Sequence, residues 1–159
     1  MLPQTDFITA MFNVHPDEIE SLETFKQDTT FHYHIRLNLK KLACPYCSEP
    51  SISHGQKEKI IHHPNVIDFD GIIHFYARRY ICMECQQTFF ETNPFSFVGF
   101  NNSYALMDRV MKRLDLLIHK FQTSGIVEYD KFTRMLMHWR EEIINSFQRP
   151  HNDRKQSNA

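Results

Sequence analysis

Four cysteines stand in two Cys-x-x-Cys pairs, Cys44-Pro45-Tyr46-Cys47 and Cys82-Met83-Glu84-Cys85, with 34 residues between them. Zinc takes four soft ligands in a tetrahedron, with sulfur about 2.3 Å from the metal. One Cys-x-x-Cys turn presents two thiolates from a single tight loop, and two such knuckles complete the set. Each pair directly follows a predicted strand, which is the arrangement of a zinc ribbon. The gap exceeds the common spacing of roughly 15–20 residues, but it holds the two strands that a ribbon needs. The competing readings are a redox dithiol and four unconnected buried thiols. A redox pair sits at the start of a helix, where the dipole lowers the thiol pKa, and neither pair here opens one. With cysteine at every ligand position no place is left for water, so zinc held by Cys44, Cys47, Cys82 and Cys85 is expected to be structural rather than catalytic. Ser48 and Gln86 follow the second cysteine of each pair, where many knuckles use glycine to reach a left-handed backbone cheaply; some strain is expected there.

The remaining reactive side chains carry weaker signals. His54, His62, His63 and His74 lie between the knuckles, but neighbours such as His62 and His63 point to opposite faces of any strand, so they read as strand and turn residues. Asp68 and Asp70 flank Phe69, beside Gly71, and read as a solvated hairpin turn rather than a magnesium or acid/base pair. No glycine-rich phosphate loop and no Ser, His and acid arrangement stands out, and nothing calls for a small-molecule substrate. Arg78 and Arg79, with Lys57 and Lys59 on the preceding strand and Phe75 and Tyr76 interleaved, suggest a ribbon face for phosphate and base contacts. Residues 31–92 carry 7 Lys+Arg against 6 Asp+Glu, so any binding to DNA through this face is expected to be weak.

The elements that must position these groups follow from periodicity. Residues 1–30 form a lead-in, with Phe7, Ile8, Met11 and Phe12 at helical spacing behind a Thr5/Asp6 cap, and a strand from Ile19 to Phe25 after His15-Pro16-Asp17. Residues 31–92 form the zinc-ribbon domain. There Phe31, Tyr33, Ile35, Leu37 and Leu39 alternate with polar residues, Lys57–His62 follows a turn at Ser53-His54-Gly55, Ile72–Ile81 follows an Asp70-Gly71 hairpin turn, and Thr88–Glu91 is a short last strand. Residues 93–104 are a linker. The helical segment at 105–147 carries two apolar stripes. Leu106, Val110, Leu114, Leu117 and Ile118 make the first, between Ala105 and Phe121. Phe132, Leu136, Trp139, Ile143 and Phe147 make the second, with Trp139 buried at its centre. The tail at 148–159 is polar and expected to be disordered. The fold class is therefore α+β: a small zinc ribbon of β-hairpins followed by two amphipathic helices.

Composition narrows the class further. The chain has 159 residues, 18 Lys+Arg, 19 Asp+Glu and a formal net charge of -1, which excludes coating nucleic acid by bulk attraction. At 42% hydrophobic and 13% aromatic it is too apolar for a disordered chain. No apolar run is long enough for a membrane span, and the first residues lack the pattern of a signal peptide. A cytoplasmic protein is expected, where paired cysteines favour metal over disulfides.

The run Cys44-Pro45-Tyr46-Cys47, His54-Gly55, Arg78-Arg79-Tyr80-Ile81-Cys82-Met83-Glu84-Cys85 and Thr88-Phe89-Phe90-Glu91 resembles the N-terminal zinc ribbon of insertion-sequence transposases of the ISL-three family, of the DDE type. The likeness extends upstream through Phe31–Leu39 and downstream through Asn102-Ser103-Tyr104 to about Leu114. A second stretch, Phe132 to Ala159, with Trp139-Arg140-Glu141-Glu142-Ile143-Ile144-Asn145-Ser146-Phe147 and Arg154-Lys155-Gln156-Ser157-Asn158, resembles a segment near the C-terminal end of the same transposases. In the family a helix-turn-helix and most of an RNase-H-like catalytic domain lie between these pieces; here they nearly touch, with a join around Leu114 to Lys120. Of the helix-turn-helix only the first helix, Ala105 to Leu114, is left to match.

The resemblance implies that three acidic residues holding two divalent metals perform strand transfer in the family. No residue here matches any of them, so no catalytic residue carries over. The expected protein is a truncated transposase derivative: not an enzyme, it keeps a zinc-ribbon module for DNA, namely transposon ends, and has helices available for self-association. The alternatives are a zinc-stabilised protein–protein adaptor and an enzyme completed by acids from another chain.

Overall fold

The computed structural model describes residues 4–64 and 70–148, and the chain divides into two compact units, 1–105 and 106–159. Asp68 and the tail from 149 onward, for which a turn and disorder were expected, lie outside the described residues.

The first unit is built on one five-stranded sheet. Helix α1 (Gln4–Phe12) leads through a 3-10 turn at Pro16–Glu18 into β1 (Ile19–Gln27), β2 (Thr30–Leu37), β3 (Ser51–Pro64), β4 (Asp70–Cys82) and β5 (Thr88–Phe90). Because α1 begins at Gln4, Thr5 and Asp6 fall inside its first turn rather than capping it. The strand order is β1-β2-β4-β3, with β5 also on β4. β1 and β2 form a hairpin, as do β3 and β4, while β2 and β4 run parallel with Thr30 opposite Asp70 and Ile35 opposite Phe75. The lead-in at 19–27 therefore belongs to the same sheet as the ribbon strands. β5 pairs with β4 at Arg79–Ile81, beyond the end of the β2 pairing.

Two sequence expectations change here. Asp70 and Gly71 do not make the hairpin turn; they already belong to β4, opposite Pro64 and His63. A Cβ on Gly71 would sit 2.8 Å from the His63 carbonyl oxygen, so this glycine permits close approach of two strands. Ser53-His54-Gly55 is likewise not a turn. It is an irregularity within β3, between Ser53 and Gln56, with Gly55 at φ +91°. A bulge and a turn both need glycine's left-handed backbone, and the local sequence reads the same for either.

The core lies on one face of the sheet. Tyr33, Ile35 and Leu37 of β2, Ile61 of β3, and Ile73, Phe75 and Ala77 of β4 pack with Phe12, Val14 and Phe95. The period-two alternation on β2 and β4 fixes which side chains face inward. Phe95 meets Phe75 edge-on at 5.2 Å, and Phe12 meets Tyr33 edge-on at 5.2 Å. The linker at 93–104 is structured: Asn101–Ser103 runs along β3, where the His62 N–H donates to Asn101 at 2.6 Å and the Ser103 N–H donates to His62 at 2.8 Å.

The second unit contains most of α2 (Tyr104–Thr123) and all of α3 (Tyr129–Gln148). The break at Thr123-Ser124-Gly125 holds, with Gly125 at φ +70°. Arg140 Nε donates to Asp115 Oδ1 at 2.5 Å, and Phe121 packs on Tyr129 and Phe132. Ile118, Thr133 and Leu136 are buried, but Val110, Leu117 and Phe132 are exposed. Trp139, expected at a buried centre, is 53% exposed. Two helices bury only the residues along their shared seam, so a broad apolar stripe on each leaves a surplus outside.

Candidate metal centre

Each cysteine pair occupies the turn of a tight β-hairpin. In the first, Ala43 bridges Pro50 and the Ser51 N–H donates to Leu42 at 3.2 Å. In the second, Cys82 closes β4 and Thr88 opens β5. Both turns share one hydrogen-bond pattern. The Cys44 N–H donates to Glu49 at 2.7 Å and the Ser48 N–H to Cys44 at 2.8 Å; the Cys82 N–H donates to Gln87 at 2.9 Å and the Gln86 N–H to Cys82 at 3.1 Å. The β3–β4 register places Ser51, where the first knuckle ends, opposite Cys82, where the second begins. The buried Tyr80 donates its hydroxyl to the Lys40 carbonyl at 3.0 Å, tying β4 to the chain entering the first knuckle. The sheet thus holds the two knuckles side by side.

The four sulfurs lie within 4.8 Å of one another. Cys44 Sγ is 3.6 Å from Cys85 Sγ, and Cys47 Sγ is 3.4 Å from Cys82 Sγ. These separations far exceed the roughly 2.05 Å of a disulfide and approach the roughly 3.8 Å edge of a tetrahedron with 2.3 Å zinc–sulfur bonds. Cys44 and Cys82 are buried, while Cys47 and Cys85 are nearer the surface.

Crowding sets the electrostatics. A hydrogen bond from the Cys85 backbone is the largest influence on Cys82 and lowers its pKa to about 7 against the opposing effect of burial. At Cys47 the Glu49 backbone favours the thiolate, yet Cys82, burial and the other thiols together push it up to about 12. Four adjacent thiols cannot all ionise without a cation among them, and a divalent metal supplies that charge. The donor set fits structural zinc. It has four soft ligands and no fifth position, and it supplies a fold constraint rather than a reactive water.

Ser48 and Gln86 adopt φ +65° and +58°, the left-handed region anticipated from their place in the knuckles. A side chain there costs about 1–2 kcal/mol relative to right-handed backbone. Ser48→Gly and Gln86→Gly are each expected to raise stability by about 0.5–1 kcal/mol once glycine's greater freedom in the unfolded chain is counted. Urea melts of the zinc-loaded variants check this.

The four basic residues divide between the two faces of the sheet. Lys57 and Lys59 lie opposite Ala77 and Phe75, so with Arg79 they share one face. Lys57 and Arg79 are exposed, and Arg79 donates to Thr88 Oγ1 at 3.1 Å. Lys59 is partly buried and donates to Ser96 Oγ at 3.3 Å. Arg78 is on the opposite face, where its guanidinium bonds the Leu37 carbonyl and the Glu20 carboxylate. It joins β4 to β2 and β1.

That opposite face carries an array not anticipated as a unit. His34 and His74 stack at 4.3 Å, His32 Nδ1 lies 2.8 Å from His74 Nε2, His74 Nδ1 bonds Glu58 at 2.6 Å, and His34 Nδ1 bonds the Tyr76 hydroxyl at 2.7 Å. Burial, then the neighbouring His74, hold the His34 pKa below its ordinary value. The only trace of it in the sequence is two i,i+2 pairs, His32/His34 and His74/Tyr76, on strands far apart in the chain. His63 sits on the core side instead, with Nδ1 2.9 Å from Ser103 Oγ. Among the described residues the cysteines are the only His, Cys, Asp and Glu cluster with ligand spacing.

Residues 40–85 match the family described as the zinc-finger of transposase IS204/IS1001/IS1096/IS1165. The matched segment runs from just before the first knuckle to the last cysteine, so the likeness covers the metal centre and the strands that carry it. No curated protein and no solved structure gives a significant match. No helix among the described residues is long and apolar enough to cross a membrane.

Proposed function

We propose that the chain is a transposase-derived DNA-binding module: the zinc ribbon docks on duplex DNA of the kind found at transposon ends, and the chain performs no strand transfer itself. The observation that carries this reading is the match of the ribbon segment to transposases, joined to a four-sulfur centre of structural type. Lys57, Lys59 and Arg79 share one face of the sheet, and phosphate contacts from such a face hold a protein on DNA without specifying sequence. The absence of catalysis is supported by the link between helices. Only residues 124–128 separate α2 from α3, leaving no length for a carboxylate-bearing sheet between the ribbon and the C-terminal stretch.

Salt dependence tests the reading. Three phosphate contacts correspond to a log–log slope of about -2.7 on duplex DNA. Arg79→Ala is expected to flatten that slope by about 0.9. Arg78→Ala is expected to leave the slope unchanged and to lower stability by about 1–3 kcal/mol, because the Leu37 carbonyl loses its partner. Salt-independent binding, or none at low salt, contradicts the proposal. In that event the adaptor reading gains, and the exposed apolar residues of the helices and their link, with Leu116 at 64% and Val127 at 77%, are its surface. Metal-dependent nicking of supercoiled DNA contradicts the claim of inertness.

A further inference from the structure

A cavity of about 610 Å³ opens within the first unit, away from the knuckles, with Lys57, Lys59, Phe90, Glu91, Ser96 and Tyr104 in its wall. Its volume is that of a small-molecule site. Lys59 is the partly buried cation of its wall. Its neighbours on the same face of β3 and β4, Ile61 and Phe75, are fully buried, so the lysine stem starts against the core. Among the described residues the one partner of its ammonium is the Ser96 hydroxyl. That hydroxyl is buried and committed: it accepts from Asn93 Nδ2 at 2.6 Å and donates to the Phe100 carbonyl at 3.0 Å.

No carboxylate pairs with Lys59 among the described residues, although two acids line the cavity. Glu58 bonds His74. The buried Glu91 accepts the Arg78 N–H at 2.7 Å, and burial raises its pKa. Burial also pulls Lys59 below the ordinary lysine value. A cation taken partly out of water with only a neutral partner is costly unless an anion arrives to meet it. An ammonium has three donors, and Ser96 uses one. The apolar part of the wall is Ala77, Phe90, Val98 and Tyr104, beside the polar Lys57, Thr92 and Asn93, and Phe90 is 48% exposed.

We infer that this cavity binds a phosphate group carried on a flat ring, a nucleotide unit, with Lys59 as the cationic contact and Phe90 beside the ring. Free nucleotide and a nucleotide within a DNA strand share that chemistry. The inference goes beyond the ribbon's proposed docking on duplex DNA and does not depend on it.

The test is NMR of the zinc-loaded full chain titrated separately with adenosine monophosphate, inorganic phosphate and a short single-stranded oligonucleotide. The expected result is perturbation centred on Lys59, Phe90, Ser96 and Tyr104, with phosphate competing. Lys59→Met is expected to weaken binding by about tenfold or more at unchanged zinc content. Should Lys59→Met fail to fold, Phe90→Ala, at an exposed position, serves instead: it weakens the monophosphate and leaves inorganic phosphate unchanged. Response to the monophosphate identifies free nucleotide as a source, and response to the oligonucleotide alone identifies the strand; both support the cavity. Silence at these residues with all three probes overturns it, as does unchanged affinity in a folded Lys59→Met. Oligonucleotide shifts at Arg79 and the two lysines that leave Phe90, Ser96 and Tyr104 unperturbed overturn the cavity while leaving DNA binding by the ribbon intact.

Discussion

Removing zinc is expected to unfold the sheet end that carries Cys44, Cys47, Cys82 and Cys85, and with it most of the first unit. Structural zinc contributes roughly 10–16 kcal/mol of apparent binding energy in small zinc-finger peptides, and a whole domain is stable by only about 5–15 kcal/mol. The geometry explains why the effect spreads. Cys82 is the last residue of β4, the strand that pairs with β2, β3 and β5. Losing the metal leaves four crowded thiols, two of them buried, and the first knuckle is then joined to the second through the β3–β4 pairing from Ser51 and Cys82 onward and the Tyr80–Lys40 hydrogen bond. Circular dichroism during titration with a chelator checks this: the β signal should fall and return when zinc is restored. Cys82→Ser should mimic chelation more severely than Cys47→Ser, because Cys82 is buried and Cys47 exposed.

The second large effect is expected at Phe75. It is fully buried at the centre of β4 and holds Phe95, from the segment after β5, edge-on against the sheet. Phe75→Ala should lower stability by about 3–5 kcal/mol, measured as a shift in urea midpoint with the metal kept saturating. The variant should still bind one zinc, since no ligand moves with Phe75. Loss of zinc stoichiometry together with stability would mean that the metal centre depends on the core rather than on its own hairpins.

The contrast between these two sites also describes what the sequence can and cannot disclose. Cys44–Cys47 and Cys82–Cys85 are legible because each pair is a local unit: the turn, its ligands and the strained residue after it occupy five consecutive positions. The left-handed Ser48 and Gln86 follow from that unit alone. The alternation from Phe31 to Leu37 is legible for the same reason, since one strand with one buried face writes its pattern directly. The parallel pairing of β2 with β4 joins residues some forty positions apart, and no local period records it. The histidine stack depends on that pairing and stays hidden with it.

Arg78 and Arg79 make a further case. As neighbours they invite reading as one basic patch, but adjacent strand positions face opposite ways, and Arg78 is spent on Glu20 and Leu37. Ser53-His54-Gly55 and Asp70-Gly71 are misread as turns because bulges, close strand approaches and turns all ask for glycine. Trp139 looks buried because its helical stripe is continuous, whereas burial depends on how many elements share the unit.

The most direct measurement is zinc K-edge X-ray absorption of the purified full chain, alongside its metal content. The account predicts one zinc per chain surrounded by four sulfurs at about 2.3 Å. Fewer sulfurs, with nitrogen or oxygen making up the shell, or a folded chain free of metal with four titratable thiols, would contradict it.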